Sequence, residues 1–418
     1  MLADVPGGKK ARSHAHDRGY GGTGCRESAI AEDMRIILTT DELNGLVREL
    51  QKSPYIALDT EFMRDQTYWP KLCLIQVAAP GGIAAIIDPL AEGLDLSCFY
   101  ALLGSDAILK VFHAGRQDIE IFFQKGGIIP HPIFDTQIAA MVCGFGEAAS
   151  YETLARKLAN AEIDKSARFT DWSRRPLSPR QLEYALADVT HLCVVYEQLE
   201  AQLKRTGRHQ WVEEEVAALQ DPELYRLEPK DAWKRLKART ANKRFLAALA
   251  AVAAWREREA QTRDIPRSRV LKDEALLEIA AHPPQNQADL ERFRAVPKGF
   301  GGSRLAKALL EAIEEGRQGD APVQAAHDAP RRRREPSASA VDLLKALLRL
   351  RAEAAHVAPR LIANADDIER LAAGDDDGVA ALHGWRAKVF GNDARALRDG
   401  RIALTLDDGH AVIVEIED

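Results

Sequence analysis

Apolar and polar residues alternate along Ile56–Phe62, IALDTEF, and a strand there puts Ile56, Leu58, Thr60 and Phe62 on one face and Ala57, Asp59 and Glu61 on the other. Two carboxylates then sit side by side on a poor substrate for strand formation, an arrangement that calls for a shared cation or proton unless the strand is a solvated edge. Upstream, MRIILTT from Met34 reads as a short strand, and Thr40 or Asp41 caps a helix from about Glu42 that carries Leu43, Leu46, Val47 and Leu50 on one face. Downstream, Lys71–Ala79 and Ile83–Asp88 flank the turn signal Pro80-Gly81-Gly82, so three neighbouring antiparallel strands are expected.

The pattern then alternates. A helix around Leu96–Leu103 precedes an apolar strand at Ile108–Phe112, and a further helix starts near Arg116 or Gln117 with Asp118 in its first turn. An acid at that position also favours the positive end of the helix dipole. A short strand at Ile133–Asp135 and helices at about Thr136–Cys143 and Tyr151–Leu158 complete an α/β layer architecture. The loop Asp164–Pro179 mixes Lys165, Arg168, Arg174 and Arg175 with Phe169 and Trp172. That mixture suits phosphate contacts with base stacking, and equally Trp172 pinning the loop to the core. A long helix after Ser178-Pro179 runs to about Lys204 and brings Tyr184 and Asp188, four apart, onto one face. His191 falls near that face and reads as structural.

From Leu227 to Gly316 the pattern is helical, with positive charge in two clusters. The first holds Lys230, Lys234, Arg235, Lys237, Arg239, Lys243 and Arg244; the second holds Arg256, Arg258, Arg263, Arg267 and Arg269. Such faces bind phosphates without reading sequence, or else pair with local carboxylates. The glycines of PKGFGGSR read as an interhelical turn that could alternatively cradle a phosphate. Gly316–Ser339, with Arg331–Arg334, has the composition of a linker. A helix restarts at Val341–Leu350, and IALTL and AVIVEI around Asp408-Gly409 form a closing hairpin.

Composition narrows the class. A chain of 418 residues with 46% hydrophobic content supports roughly two to four domains. No apolar run is long enough to cross a bilayer and no signal peptide is evident, so a soluble cytoplasmic protein is expected. Cys25, Cys73, Cys98, Cys143 and Cys193 are scattered, which argues for free thiols rather than disulfides or a zinc site. A net charge of −6 does not by itself suggest a polyanionic partner, but local basic clusters can still bind one when the acids are used elsewhere, so the distribution of charge matters more than its total. Residues 1–33 lack apolar periodicity and read as a disordered extension.

Asp59, Glu61, Asp118 and Asp188 therefore recur on different elements, the last with Tyr184. Carboxylates without a Cys or His cluster favour Mg²⁺ or Mn²⁺, and two such ions supply the nucleophile and counter-charge that phosphodiester hydrolysis needs. At this point DTEF at Asp59–Phe62, HAGRQD at His113–Asp118 and YALAD at Tyr184–Asp188 resemble the three exonuclease motifs of the DEDD superfamily. Glu183, rather than His, stands five before Asp188, which fits the tyrosine branch. FMRDQTYWPKLCLIQ and DWSRRPLS narrow the likeness to the bacterial ribonuclease D family, and AWKRLK, LAAVAAWREREA and RDIPRSRVLKDEALLEIA resemble an HRDC domain.

The resemblance implies a ribonuclease H-like mixed-sheet catalytic domain followed by mostly α-helical HRDC-type domains. It implies domains at 34–206 (3′-5′ exonuclease), 207–316 (HRDC) and, after a linker at 317–339, 340–418 (a second, diverged HRDC-like domain). The closing strands depart from an all-helical module. The implied activity is metal-dependent 3′→5′ hydrolysis of RNA, tRNA precursors among it, releasing 5′-mononucleotides. Asp59, Glu61, Asp118 and Asp188 would hold two divalent cations, Mg²⁺ or Mn²⁺, and Tyr184 would orient the attacking water. Phe62 and His113 would meet the terminal nucleotide, with core packing and a turn-stabilising role as their alternatives. Asp135 would support the end of the sheet. A monomer is expected. A DNA-directed 3′-5′ exonuclease and a non-catalytic RNA-binding module are the competing readings.

Overall fold

The structure is a computed structural model that describes residues 34–236, 238, 242–318 and 335–416. The expected extension at 1–33, Lys237, Arg239 and the linker arginines Arg331–Arg334 lie outside the described residues, as does the Lys165 side chain.

Six strands form one mixed sheet: β1 (Ile36–Ile37), β2 (Tyr55–Met63), β3 (Lys71–Ala79), β4 (Ile83–Ile87), β5 (Leu109–Phe112) and β6 (Ile133–Asp135), in the order β1-β4-β3-β2-β5-β6. The β2–β3–β4 meander is antiparallel, whereas β5 and β6 continue parallel to β2. The acidic strand β2 is thus an interior strand. The edge-strand alternative is excluded, because β2 is paired on both sides and Tyr55–Leu58 are buried.

Helices α1 (Thr40–Leu50), α2 (Ser97–Leu103), α3 (Arg116–Gly126), α4 (Thr136–Val142), α5 (Tyr151–Leu158) and α6 (Pro179–Thr206) cover the sheet. The cap of α1 is Thr39, one residue before the expected position, because only there does a hydroxyl meet the Glu42 amide while the Glu42 carboxylate returns to the Thr39 amide. Helix α6 begins at a Ser178–Gln181 capping box and packs across β2, β3 and β4. Two apolar layers result. The larger is built on Ile56, Leu58, Val111, Phe112 and Phe122, and the smaller traps Cys73, Leu74, Ile86, Trp172 and Leu182 on the other side.

The loop before α6 is largely structural. Trp172 is 2% exposed, and Arg175 makes a fork to both Asp88 carboxylate oxygens, Nε at 2.5 Å and Nη2 at 2.7 Å. The β2–β3 register slips by one residue at Glu61/Phe62, and Arg175 Nη2 donates to the carbonyl of Cys73, the extra residue, at 2.7 Å. Arg175 is therefore withdrawn from phosphate contact. Phe169, by contrast, is 91% exposed.

Helix α7 (His209–Ala217) leads into a second, helical unit. Its core lies between α8 (Lys243–Arg263), α9 (Arg267–Val270), α10 (Asp273–Ala281) and α11 (Arg304–Gln318). The basic clusters divide here: Arg256 is buried and donates to Leu271 O and Asp273, and Arg267 is forked onto Glu257, so neither belongs to a free basic face. The PKGFGGSR loop is filled from within, since the Gly299 and Gly301 amides donate to the Glu291 carboxylate. It is an interhelical turn.

A third apolar cluster, centred on Leu347, Ile362, Trp385 and Phe390, belongs to the C-terminal helices. Trp385 stacks on Trp211 of α7 with ring centroids 4.5 Å apart, which ties that unit to the first. The closing hairpin forms as expected from β7 (Ile402–Asp407) and β8 (His410–Glu415), with Asp408 and Gly409 at positive φ. Among the described residues no helix is long and apolar enough to cross a membrane. Cys73, Cys98, Cys143 and Cys193 are free thiols, and Cys25 lies outside the described residues.

Candidate active site

Pairing between β2 and β5 stops at Ala57–Val111, so the last half of β2 projects beyond its parallel neighbour. Strand β5 then turns through His113-Ala114-Gly115 into α3, and the space left at the carboxyl ends of these strands is a cleft of about 500 Å³. The turn permits no side chain at Gly115, where a Cβ would fall 2.5 Å from that of Phe112. Asp135 fixes the turn. Its carboxylate accepts from the Ala114 and Gly115 amides at 3.2 and 2.9 Å while capping α4 through Gln137 and Ile138, the supporting role expected for it.

The pleat of β2 delivers Asp59 and Glu61 to one side, and α6 delivers Asp188 against them; one ligand atom from each lies within 4.8 Å of the others. Asp118, in the first turn of α3, lines the same cleft and accepts a hydrogen bond from the Thr60 hydroxyl. Tyr184, one helical turn before Asp188, lines the cleft beside it, and its hydroxyl holds the Asp188 carboxyl down against the effect of burial. Phe62 and His113 also line the cleft. Thr136 Oγ1 donates to Phe112 O at 3.0 Å, so its oxygen accepts from His113 Nδ1 at 3.0 Å, which leaves Nε2 as the acceptor in the neutral ring. All the sequence-identified site residues are thus brought to one cavity.

Electrostatically the cavity is overloaded with negative charge. Burial, then Asp188, holds the Asp59 carboxyl well above its usual range, and burial, then Asp59, does the same to Asp118. Glu61 is pushed up to about 9 by burial and by Asp59, and Asp188 to about 7 by burial. Arg168 is the cation that acts on both Glu61 and Asp188 in the opposite sense. Burial lowers His113, keeping the ring neutral, and burial with the Asp188 charge raises the Tyr184 phenol, which keeps its proton. Four hard oxygen donors short of cations are the donor set of a divalent metal centre, and the residues present fit one.

Two contributors escaped the sequence reading. Thr60 lies on the strand face opposite the acids, yet its hydroxyl orients Asp118; a polar residue on an otherwise apolar face is the signal in the sequence. Tyr151 donates to the Ala187 carbonyl at 3.0 Å, steadying α6 beside Asp188, and packs near His113 at 5.6 Å between centroids. Nothing in the local pattern distinguished it.

A mixed sheet that gathers acids from β2, α3 and α6 defines a 3′-5′ exonuclease, and residues 34–204 match the 3′-5′ exonuclease family while residues 245–313 match the HRDC domain. The chain is 50% identical to ribonuclease D of Acidiphilium cryptum over 91% of its length and 97% of that protein, and 48% identical to ribonuclease D of Nitrobacter hamburgensis over 91% and 100%. The crystal structure of Escherichia coli RNase D superposes with a TM-score of 0.74 at 30% identity, covering 88% of this chain and 99% of the other. The chain belongs to the ribonuclease D family: it is a 3′-5′ exoribonuclease, a class that uses divalent metal.

Proposed function

We propose that this exoribonuclease trims the 3′ ends of structured RNA, tRNA precursors among them, releasing 5′-mononucleotides. The crystal structure of the Escherichia coli relative is described as that of an exoribonuclease involved in structured RNA processing, which supports the substrate class. The observation that carries the chemistry is the buried acid cluster with raised carboxyls and one opposing arginine.

In this reading Asp59, Glu61, Asp118 and Asp188 hold two divalent cations, Mg²⁺ or Mn²⁺. When bound, these supply counter-charge for the departing oxygen and a nucleophilic water at neutral pH. Tyr184, kept protonated, positions that water through its hydroxyl. Phe62 packs against the terminal nucleoside, and His113 offers Nε2 to it as an acceptor. Thr60 and Asp135 act one step back, holding Asp118 and the start of α3. The domains in this reading are 34–206, 207–316 and 340–418, the last a diverged HRDC-like module; apolar clusters centred in each support the division, while Val212, Val216 and Tyr225 pack with the core of the first. The protein acts as a monomer in the cytoplasm.

The test is stepwise shortening of a 5′-labelled RNA with a 3′ tail, with and without Mg²⁺ or Mn²⁺, beside Asp188→Ala. Loss of one metal-holding carboxylate should lower the rate by roughly 10³-fold or more. RNA binding without shortening in either metal would refute the catalytic reading, and faster cleavage of matched DNA would refute the substrate.

A further inference from the structure

Beside the acidic cleft lies a second cavity, of about 340 Å³, whose walls come from both the exonuclease and the helical unit. Arg64 and Arg116 enter it from β2's exit and α3, and Arg235 and Arg267 from the segments flanking α8; Tyr225 lines it too, and Arg267 lies over the ring of Tyr68, at 4.5 Å. The two cavities share structure. Arg64 lies over the ring of Phe62, at 5.5 Å, and Phe62 lines the acidic cleft; Arg116 immediately precedes Gln117 and Asp118, which line it too.

The charge is not balanced locally. Glu120, the carboxylate on the wall, pairs with Arg64 at 2.9 Å. Glu257, behind the wall, is forked by Arg267 at 2.6 Å and also lies 3.5 Å from Arg235. Two carboxylates thus serve four guanidinium groups, and Arg116 makes no ion pair with any described residue. Arg235 stands with half of its side chain in solvent and shares a carboxylate already used by a better-placed partner. Planar guanidinium groups converging on a concave surface next to a nuclease centre match the paired non-bridging oxygens of a phosphodiester.

We propose that this interdomain cavity holds a backbone phosphate of the RNA a few nucleotides 5′ of the scissile bond, so that the helical unit contributes directly to substrate grip. The proposal rests on the exoribonuclease reading and extends it from the reacting end to the incoming strand. Arg64 and Arg116 would grip from the catalytic side and Arg235 from the helical side. An RNA too short to reach the cavity would be insensitive to Arg235.

The experiment compares Arg235→Gln and Arg235→Lys with the unaltered protein on single-stranded RNA of about two and about ten nucleotides, by steady-state kinetics in Mg²⁺ and by fluorescence anisotropy in EDTA. For the longer RNA, Arg235→Gln should raise KM and Kd about tenfold with kcat unchanged, the loss of one charge-assisted contact. Its salt slope should fall by about 0.7, one phosphate on a single strand. Arg235→Lys should restore part of the affinity, and the shorter RNA should not respond. Unchanged KM, Kd and salt slope for the longer RNA would overturn the proposal. Absence of shortening by the unaltered protein would instead sink the catalytic reading, and the anisotropy series would still decide the cavity.

Discussion

Stripping divalent metal from this protein should make its stability fall steeply with rising pH. Asp188 is held at about 7 and Glu61 at about 9 in the folded protein, against 3.8 and 4.5 for the free groups. Both folded-state values lie above the unfolded ones. These groups therefore favour the folded state below about pH 4, and that support is withdrawn as pH rises through about 7 for Asp188 and about 9 for Glu61. Each proton held only by the folded state costs about 1.4 kcal/mol per pH unit. Between about pH 6 and about pH 8.5 the two together give at most roughly 5 kcal/mol, which the remaining solvent access at the partly buried Glu61 reduces to about 3 kcal/mol. For a unit the size of the exonuclease domain that is a fall of roughly 6–12 °C in Tm. Thermal melts in EDTA at the two pH values read it directly. Mg²⁺ should restore Tm more at the higher pH, where no protons need be displaced, and Glu61→Gln should flatten the EDTA profile. A flat or rising EDTA profile, or one as steep in Glu61→Gln as in the unaltered protein, would refute the picture of crowded carboxylates awaiting a cation.

Thr60→Val keeps the shape of the side chain but removes the hydroxyl donated to Asp118, so kcat should fall roughly 10- to 100-fold with folding retained; an unchanged rate across a metal titration would contradict the positioning role. Asp135→Asn turns an acceptor of the Gly115 amide into a donor and should cost about 1.5–3 kcal/mol in urea unfolding while also lowering kcat, because α3 carries Asp118. Arg175→Gln should destabilise by about 2–3 kcal/mol through the lost Asp88 fork and leave KM for RNA unaltered; a raised KM with unaltered stability would return Arg175 to the substrate path.

The interior position of β2 and the direction of α3 follow from packing that begins with the sequence pattern. Ile56 and Leu58 on one face of an alternating strand are buried in the same core as Val189, Leu192 and Val195 of α6, while Leu182 at the start of α6 joins the smaller layer. The same periodicity set Asp59 beside Glu61 and Tyr184 one turn from Asp188, since two and 3.6 residues per repeat are local properties of the chain. Hence three motifs were legible in one dimension, together with the helical second half and the closing hairpin at Asp408-Gly409.

What the chain alone did not decide is which charges are spoken for. Arg175, Arg256 and Arg267 look as free in the sequence as Arg116 and Arg235, yet the first three are bound to Asp88, Asp273 and Glu257 by contacts between distant segments. The partnership of Thr60 with Asp118, the slip of register opposite Cys73 and the grouping of four arginines between two units likewise arise only on folding. Local composition fixes which residues are present on a face; whether a buried charge stays available depends on its distance to the nearest opposite charge, and that distance is a property of the tertiary structure alone.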